Sequence, residues 1–203
     1  VFDACHRELA QRAIVAIFPE GTTGDRPALD RVKSGASRIA LGALPTAADV
    51  MIVPIGMAFE SKVETRSRAV VMFGEPIDVA SFAGSGLGDD GEPDPADAAV
   101  LTARITDALE QVSPQFASID EREVLRAAAR EERSVATGRS EVSFADTEIV
   151  ARDIARAEPA ARDRVMRAYR EFATHLQLLG ITARQLDPRR ISVARLALSA
   201  ALL

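Results

Sequence analysis

The polar run Pro19-Glu20-Gly21-Thr22-Thr23-Gly24-Asp25-Arg26-Pro27, followed closely by Arg31 and Lys33, has the composition of an anion cradle. Gly21 and Gly24 open backbone conformations closed to other residues, so Thr22, Thr23 and nearby N–H groups can converge on phosphate oxygens. Arg26, Arg31 and Lys33 add positive charge, and arginine's planar fork grips two oxygens at once. Lys33 and Lys62 are the only lysines in an arginine-rich chain, which singles out the place of Lys33. Each residue also has a plainer reading. Glu20 can be a helix cap or a solvated loop acid, Lys33 a solvated first-turn lysine, and one of the two arginines simple surface charge.

These residues need elements to hold them. Ala13 to Phe18 is a continuous apolar run of strand length, preceded by a short helix near Asp3 to Arg12. A helix is expected from about Val32 to Leu44, with Ala36, Ile39, Ala40 and Ala43 on one face. Lys33 then stands at the helix start, where the macrodipole and its charge both favour a phosphate. Val50 to Phe59 reads as a buried strand crossed by Pro54, which implies a bulge or an edge. Arg68 to Phe73 reads as another, closed by Gly74-Glu75-Pro76. This alternation over residues 1–82 predicts an α/β fold with a central, mostly parallel sheet.

Residues 83–97, rich in Gly, Ser, Asp and Pro, read as a linker or surface loop. A helical extension over 98–203 is expected beyond it. Its helices are Ala98 to Val112, Asp120 to Glu132, Phe144 to Ala157 and Ala160 to Leu179, the last closed by Gly180, with a final helix opening at Asp187-Pro188.

With 203 residues, 47% of them apolar and a formal charge of -5, the composition fits a globular domain with a helical extension and argues against a nucleic-acid binder. Cys5 is alone, so no intrachain disulfide can form and a reducing compartment is implied. With only His6 and His175 as histidines, a zinc site would need unusual ligands. The glycine turn after a strand suggests a nucleotide P-loop, but the required Gly-x-x-x-x-Gly-Lys-Ser/Thr spacing is absent. No stretch reaches the roughly 20 apolar residues of a spanning helix, and no signal peptide is evident. Both ends look cut: Val1 opens in mid-pattern, and Ile191 to Leu203 grows apolar as the sequence stops.

Phe18-Pro19-Glu20-Gly21-Thr22 resembles the third sequence block of the PlsC-type glycerolipid acyltransferases, and Ile52-Val53-Pro54-Ile55-Gly56 resembles their fourth. Asp25-Arg26-Pro27, Val32-Lys33-Ser34-Gly35-Ala36, Phe59-Glu60-Ser61-Lys62, Arg66-Ser67-Arg68 and Gly74-Glu75-Pro76-Ile77 resemble the branch that acylates glycerol-3-phosphate or dihydroxyacetone phosphate. The strong part covers about residues 13–80. The resemblance implies that residues 1–82 are the C-terminal part of an acyltransferase α/β domain. The family's His-x-x-x-x-Asp block has no counterpart: Gln11 lies five positions after His6, which reads as a surface histidine, as does His175. The chain therefore looks like the downstream part of an acyltransferase.

In the family's reaction that histidine takes the proton of an acceptor hydroxyl, which attacks an acyl thioester; losing such a base costs roughly 10²- to 10⁴-fold. The resemblance assigns no catalytic residue to this chain, which alone should be nearly inert. It implies substrate binding by Glu20, Gly21, Thr22, Arg26 and Lys33, with Pro54 and Ile55 as pocket wall or core. Arg66 and Arg68 would face coenzyme A phosphates, a membrane surface or solvent. No metal or organic cofactor is implied, since acyl-CoA or acyl-carrier protein is a cosubstrate. The implied partners are a phosphorylated glycerol acceptor, the acyl thioester and a membrane surface, with the enzyme membrane-associated at the cytoplasmic face. Two other readings stand beside this one: a 1-acylglycerol-3-phosphate acyltransferase, and a non-catalytic, membrane-associated lipid-phosphate-binding module.

Overall fold

The computed structural model describes residues 2–22, 24–84, 87–88, 91–139 and 141–185. Thr23, the expected final helix from Asp187 and the apolar run Ile191 to Leu203 lie outside the described residues. The chain divides into two compact units, residues 1–57 with 71–114 and residues 58–70 with 115–203. The run 83–97 falls within the first.

In the first unit, α1 (Phe2–Ala10) and α2 (Gly35–Ala43) are followed by β1 (Met51–Ile52), β2 (Ile55–Phe59), β3 (Ala69–Phe73), β4 (Ile77–Asp78) and α3 (Pro95–Val112). β2 and β3 form a hairpin whose tip belongs to the second unit. Helix α3 shows why its sequence is helical. Asp94 accepts a hydrogen bond from the Ala96 N–H at 2.7 Å and Pro95 occupies the first turn. Ala98, Leu101, Ile105, Ala108, Leu109 and Val112, three or four apart for the most part, make its buried stripe. From Ala98 to Leu109 that stripe packs with Val32, Leu41, Val50, Ile77 and Val79 in one core. The helix begins at Pro95, inside the expected linker, because the Asp-Pro pair starts it there.

The fold is mixed helix and strand, as the alternation predicts, but among the described residues no central parallel sheet forms. There are two separate two-stranded sheets. β1 pairs antiparallel with β4, Met51 opposite Asp78 and Ile52 opposite Ile77. In the hairpin, the Gly74 N–H reaches the Pro54 carbonyl and the Glu60 N–H reaches that of Arg68. Those two bonds bracket an antiparallel ladder that sets Ile55 opposite Phe73 and Met57 opposite Val71. Ala13 to Phe18 joins neither sheet, and Ile14 is 97% exposed. An apolar run supplies a face for burial, but a strand exists only where a second segment takes up its N–H and C=O groups.

The expected strand Val50 to Phe59 is broken at Val53-Pro54 into β1 and β2. Proline has no N–H for a ladder, and Pro54 serves as acceptor alone. Along β2 exposure alternates, with Gly56 and Ala58 buried and Ile55, Met57 and Phe59 outward. Gly56 lies against α3 so closely that a Cβ there would stand 2.1 Å from the Val112 carbonyl oxygen.

The second unit is built from α4 (Ile119–Thr137), α5 (Phe144–Arg156) and α6 (Pro159–Leu179). Ser118 accepts from the Glu121 N–H at 3.0 Å while the Glu121 carboxylate accepts from the Ala117 N–H, a reciprocal cap that starts α4. Gly138 and Gly180, both at φ +64°, end α4 and α6 in the left-handed conformation. Phe116, Leu125, Ala129, Ala151 and Ala155 form the core.

Candidate functional site

The loop from Pro19 to Lys33 is closed at its neck by two bonds. The Lys33 N–H donates to the Pro19 carbonyl at 2.9 Å, and the Asp30 N–H donates to Glu20 Oε2 at 2.8 Å. The Gly21 N–H turns back onto the Phe18 carbonyl at 3.1 Å, with Gly21 at φ +64°. This is a left-handed turn that glycine adopts without a Cβ penalty. Lys33 is drawn into the neck and so lies just before α2, not in its first turn as expected. Its N–H is committed to Pro19, and the helix starts at Gly35.

The closure brings Lys33 back onto the turn. A Cβ built on Gly21 would stand 2.7 Å from Lys33 Nζ, so the ammonium occupies the space that a side chain would fill. Among the described residues no carboxylate pairs with that ammonium. Arg26, by contrast, is engaged by Asp30 at 2.9 Å, and Asp30 also accepts the Arg31 N–H. Gly21, Thr22, Arg26, Arg31 and Lys33 are exposed, and Glu20 is half-buried. Ser34 precedes α2 without a side-chain cap for the first-turn N–H groups. The loop is therefore an open turn in which Glu20, Asp25 and Asp30 balance Arg26, Arg31 and Lys33 in number, with the Lys33 ammonium set beside Gly21 just before a helix N-terminus, a local arrangement suited to an anion.

Glu20 steadies the loop through Oε2. Pro54 and Ile55 are separated by the pleat: Pro54 is buried near Gly74, whereas Ile55 looks outward. The outward face carries residues the sequence reading passed over, Met57, Val71 and Phe73, beside Ile55. Their signal was the period of two in Ile55–Phe59 and Ala69–Phe73.

Arg68 is exposed but engaged. Its Nε and one terminal nitrogen each donate to Glu60 at 2.7 Å, and the other donates to the Val142 carbonyl at 3.1 Å. It is exposed at the edge of the hairpin, as the solvated reading expects, with its guanidinium engaged by Glu60 and the Val142 carbonyl. The Arg68 hydrogen bond is the main reason that the Glu60 carboxyl lies below its ordinary range. Arg66 sits at φ +62° in the hairpin connection. His6 is half-buried, with its ring against Gly42 and its Nε2 covered without a hydrogen-bond partner. His175 is exposed on α6.

The acyltransferase family model matches residues 1–58. Glycerol-3-phosphate O-acyltransferase 2 of Saccharomyces cerevisiae is 37% identical over 134 residues, which cover 64% of this chain and 17% of that protein. Glycerol-3-phosphate O-acyltransferase 1 of the same yeast is 41% identical over 81 residues, 39% of this chain and 11% of its own length. An uncharacterized acyltransferase of Schizosaccharomyces pombe is 36% identical over 81 residues, 39% of this chain and 12% of its length. The chain thus spans less than a fifth of each of these relatives. No solved structure matches it.

Proposed function

We propose that this chain, which belongs to the PlsC-type glycerolipid acyltransferase family, supplies the acceptor-phosphate side of a fatty-acyl transfer enzyme. The acyl group passes from acyl-CoA or acyl-carrier protein to glycerol-3-phosphate or dihydroxyacetone phosphate. The observation that carries this reading is Lys33 Nζ poised over Gly21 in a loop closed at both ends of its neck. An ammonium without a carboxylate partner among the described residues, next to a glycine turn and the start of α2, attracts the phosphate of a small acceptor.

In this reading the phosphate meets Lys33, the Gly21-Thr22 backbone and the Arg26 fork, once the exposed Asp30 pair exchanges for it. Glu20 keeps the loop shut and turns its second oxygen toward a glycerol hydroxyl. Ile55 and Met57, outward on β2, offer apolar surface to the acyl chain. The proton is taken by a histidine base outside these residues, because Gln11 and not an aspartate lies five positions after His6. The hydroxyl oxygen bonds to the thioester carbonyl carbon, and the thiol leaves. The thioester is a cosubstrate, and no bound metal or organic cofactor takes part. As the products are lipids, the enzyme works at a membrane surface on the cytoplasmic side; no described helix is itself long and apolar enough to cross a bilayer.

The test is acyl transfer by the complete protein to glycerol-3-phosphate, dihydroxyacetone phosphate and lysophosphatidate in parallel. Transfer to either small acceptor supports the reading, and transfer to the lysolipid alone replaces it by a lysophosphatidate acyltransferase. Binding of glycerol-3-phosphate without transfer to any of the three would leave an anion-binding module.

A further inference from the structure

Within the first unit, the loop from Pro19 to Lys33 sets the acids Glu20, Asp25 and Asp30 against the cations Arg26, Arg31 and Lys33. Asp30 is the acid tied most closely to a cation of the candidate site. Its N–H donates to Glu20 Oε2 at 2.8 Å, and its Oδ1 accepts the Arg31 N–H at 2.9 Å. The other oxygen, Oδ2, meets a terminal nitrogen of Arg26 at 2.9 Å. The two partners are held unequally. The Asp30 side chain is 25% exposed and bound to the backbone through one oxygen, whereas the Arg26 side chain is 67% exposed. The carboxylate is therefore the fixed member of the pair and the guanidinium the movable one.

A carboxylate and a phosphate ask the same thing of a guanidinium, oxygens set against its planar fork. Arg26 thus has a resident anion where an acceptor brings a second. An exposed ion pair of this kind is weak, and competition from it lowers an apparent affinity by up to about fivefold. A phosphate monoester brings close to two charges and three oxygens, and meets Lys33 beside Gly21 as well, so it displaces the single charge of Asp30. The reaction gives this competition a purpose. Acylation of a hydroxyl leaves the phosphate untouched, so acceptor and acylated product present the same group to the loop. Binding that is equal along the reaction lowers KM without raising kcat, and a grip that is too firm slows departure of the product.

We propose that Asp30 is an internal competitor for the acceptor phosphate: it holds Arg26 in the free protein, yields it to the acceptor and takes it back as the acylated product leaves. The inference rests on the reading of Lys33 and Arg26 as the phosphate grip. It adds to that grip a residue that sets affinity by opposing it.

Asp30→Asn keeps a carbonyl oxygen for the Arg31 N–H and the backbone N–H for Glu20, and removes the charge that holds Arg26. In the complete protein the Kd for glycerol-3-phosphate, measured by calorimetry, should fall about two- to fivefold. The KM for that acceptor and the inhibition constant of 1-acylglycerol-3-phosphate should fall by the same factor, with no rise in kcat and the KM for the acyl thioester held within about twofold. A damaged loop would weaken binding, so a gain separates competition from collapse. In an Arg26→Ala background the same change should alter the Kd by less than about twofold. Unchanged or weaker binding by folded Asp30→Asn overturns the proposal, as does an undiminished gain without Arg26, or a gain for the acceptor that the product does not share. If the wild-type protein binds glycerol-3-phosphate but transfers no acyl group, the proposed activity falls, and the two Kd comparisons still decide whether Asp30 competes for Arg26.

Discussion

Lys33 Nζ and Gly21 share one space: a methyl group on the Gly21 Cα would stand 2.7 Å from the ammonium nitrogen. Twelve positions separate the two residues along the chain. They meet because the Lys33 N–H is bonded to the Pro19 carbonyl and the Asp30 N–H to Glu20. The charge of Lys33 is thereby set against a turn whose backbone is bare, which is the condition for a close approach of an anion.

Replacing Lys33 by Ala removes a charge-assisted contact worth about 1.5–3 kcal/mol. In the complete protein the KM for the phosphate-bearing acceptor should rise about tenfold to a hundredfold, and that for the acyl thioester should hardly move. Initial-rate kinetics with each substrate varied in turn measure this. Equal effects on both would show damage to the fold rather than to a phosphate contact.

Gly21→Ala should mimic part of that loss while leaving the lysine in place. The substitution forces a side chain into φ +64° at a cost of about 1–2 kcal/mol, and its methyl group displaces the ammonium. The KM for the acceptor should rise and the thermal midpoint fall by a few degrees. An acceptor KM equal to that of wild type would separate Lys33 from the substrate.

Glu20 divides two roles that Gln and Ala can tell apart. Glu20→Gln retains an oxygen for the Asp30 N–H, so the loop should stay closed. Glu20→Ala strands that N–H and should cost about 1 kcal/mol of loop stability. Limited proteolysis between residues 22 and 31 should be faster in the Ala variant alone. Equal cleavage of both would remove the closing role of the carboxylate.

The parts of this structure that follow from local chemistry were legible in the sequence. The stripe Ala98, Leu101, Ile105, Ala108, Val112 specified α3, and Gly180 marked the end of α6, because helix spacing and a left-handed cap are written in neighbouring residues. The boundary at Pro95 was missed only by giving the Asp94-Pro95 start to the preceding loop. Pairing was not legible. The run Ala13 to Phe18 has the composition of a buried strand, yet nothing local says which segment will pair with it, and here it joins no strand. The candidate loop was visible as glycines and cations, but its closure depends on where Pro19 and Asp30 meet Lys33 and Glu20 in space. Arg68 reads as a solvated cation and is exposed, but its pairing with Glu60, eight residues earlier, depends on the hairpin that sets the two side by side.

Gly56→Ala should destabilise the first unit far more than an ordinary surface change. The new Cβ would stand 2.1 Å from the Val112 carbonyl oxygen and 2.9 Å from the Ser113 nitrogen, both backbone atoms that cannot rotate away. Overpacking of this kind costs about 1–3 kcal/mol or more. Urea denaturation should show a lower midpoint at unchanged slope; an unaltered midpoint would mean that β2 and α3 lie further apart.

The pH dependence of the hairpin tip follows from Glu60. Its carboxyl is held below the ordinary range first by the Arg68 hydrogen bond, against the opposing effect of burial, and further by the charges of Arg68, Arg130 and Arg126. The folded group therefore releases its proton at lower pH than the unfolded one. The stabilisation is fully present above the ordinary carboxylate range and is lost as pH falls through the depressed folded value. Amide protection at Glu60, whose N–H bonds to the Arg68 carbonyl, should fall on acidification toward that value once corrected for intrinsic exchange. The variant Glu60→Gln should show weaker protection at neutral pH and no such acid step. An identical acid step in Glu60→Gln would assign the titration to another carboxylate.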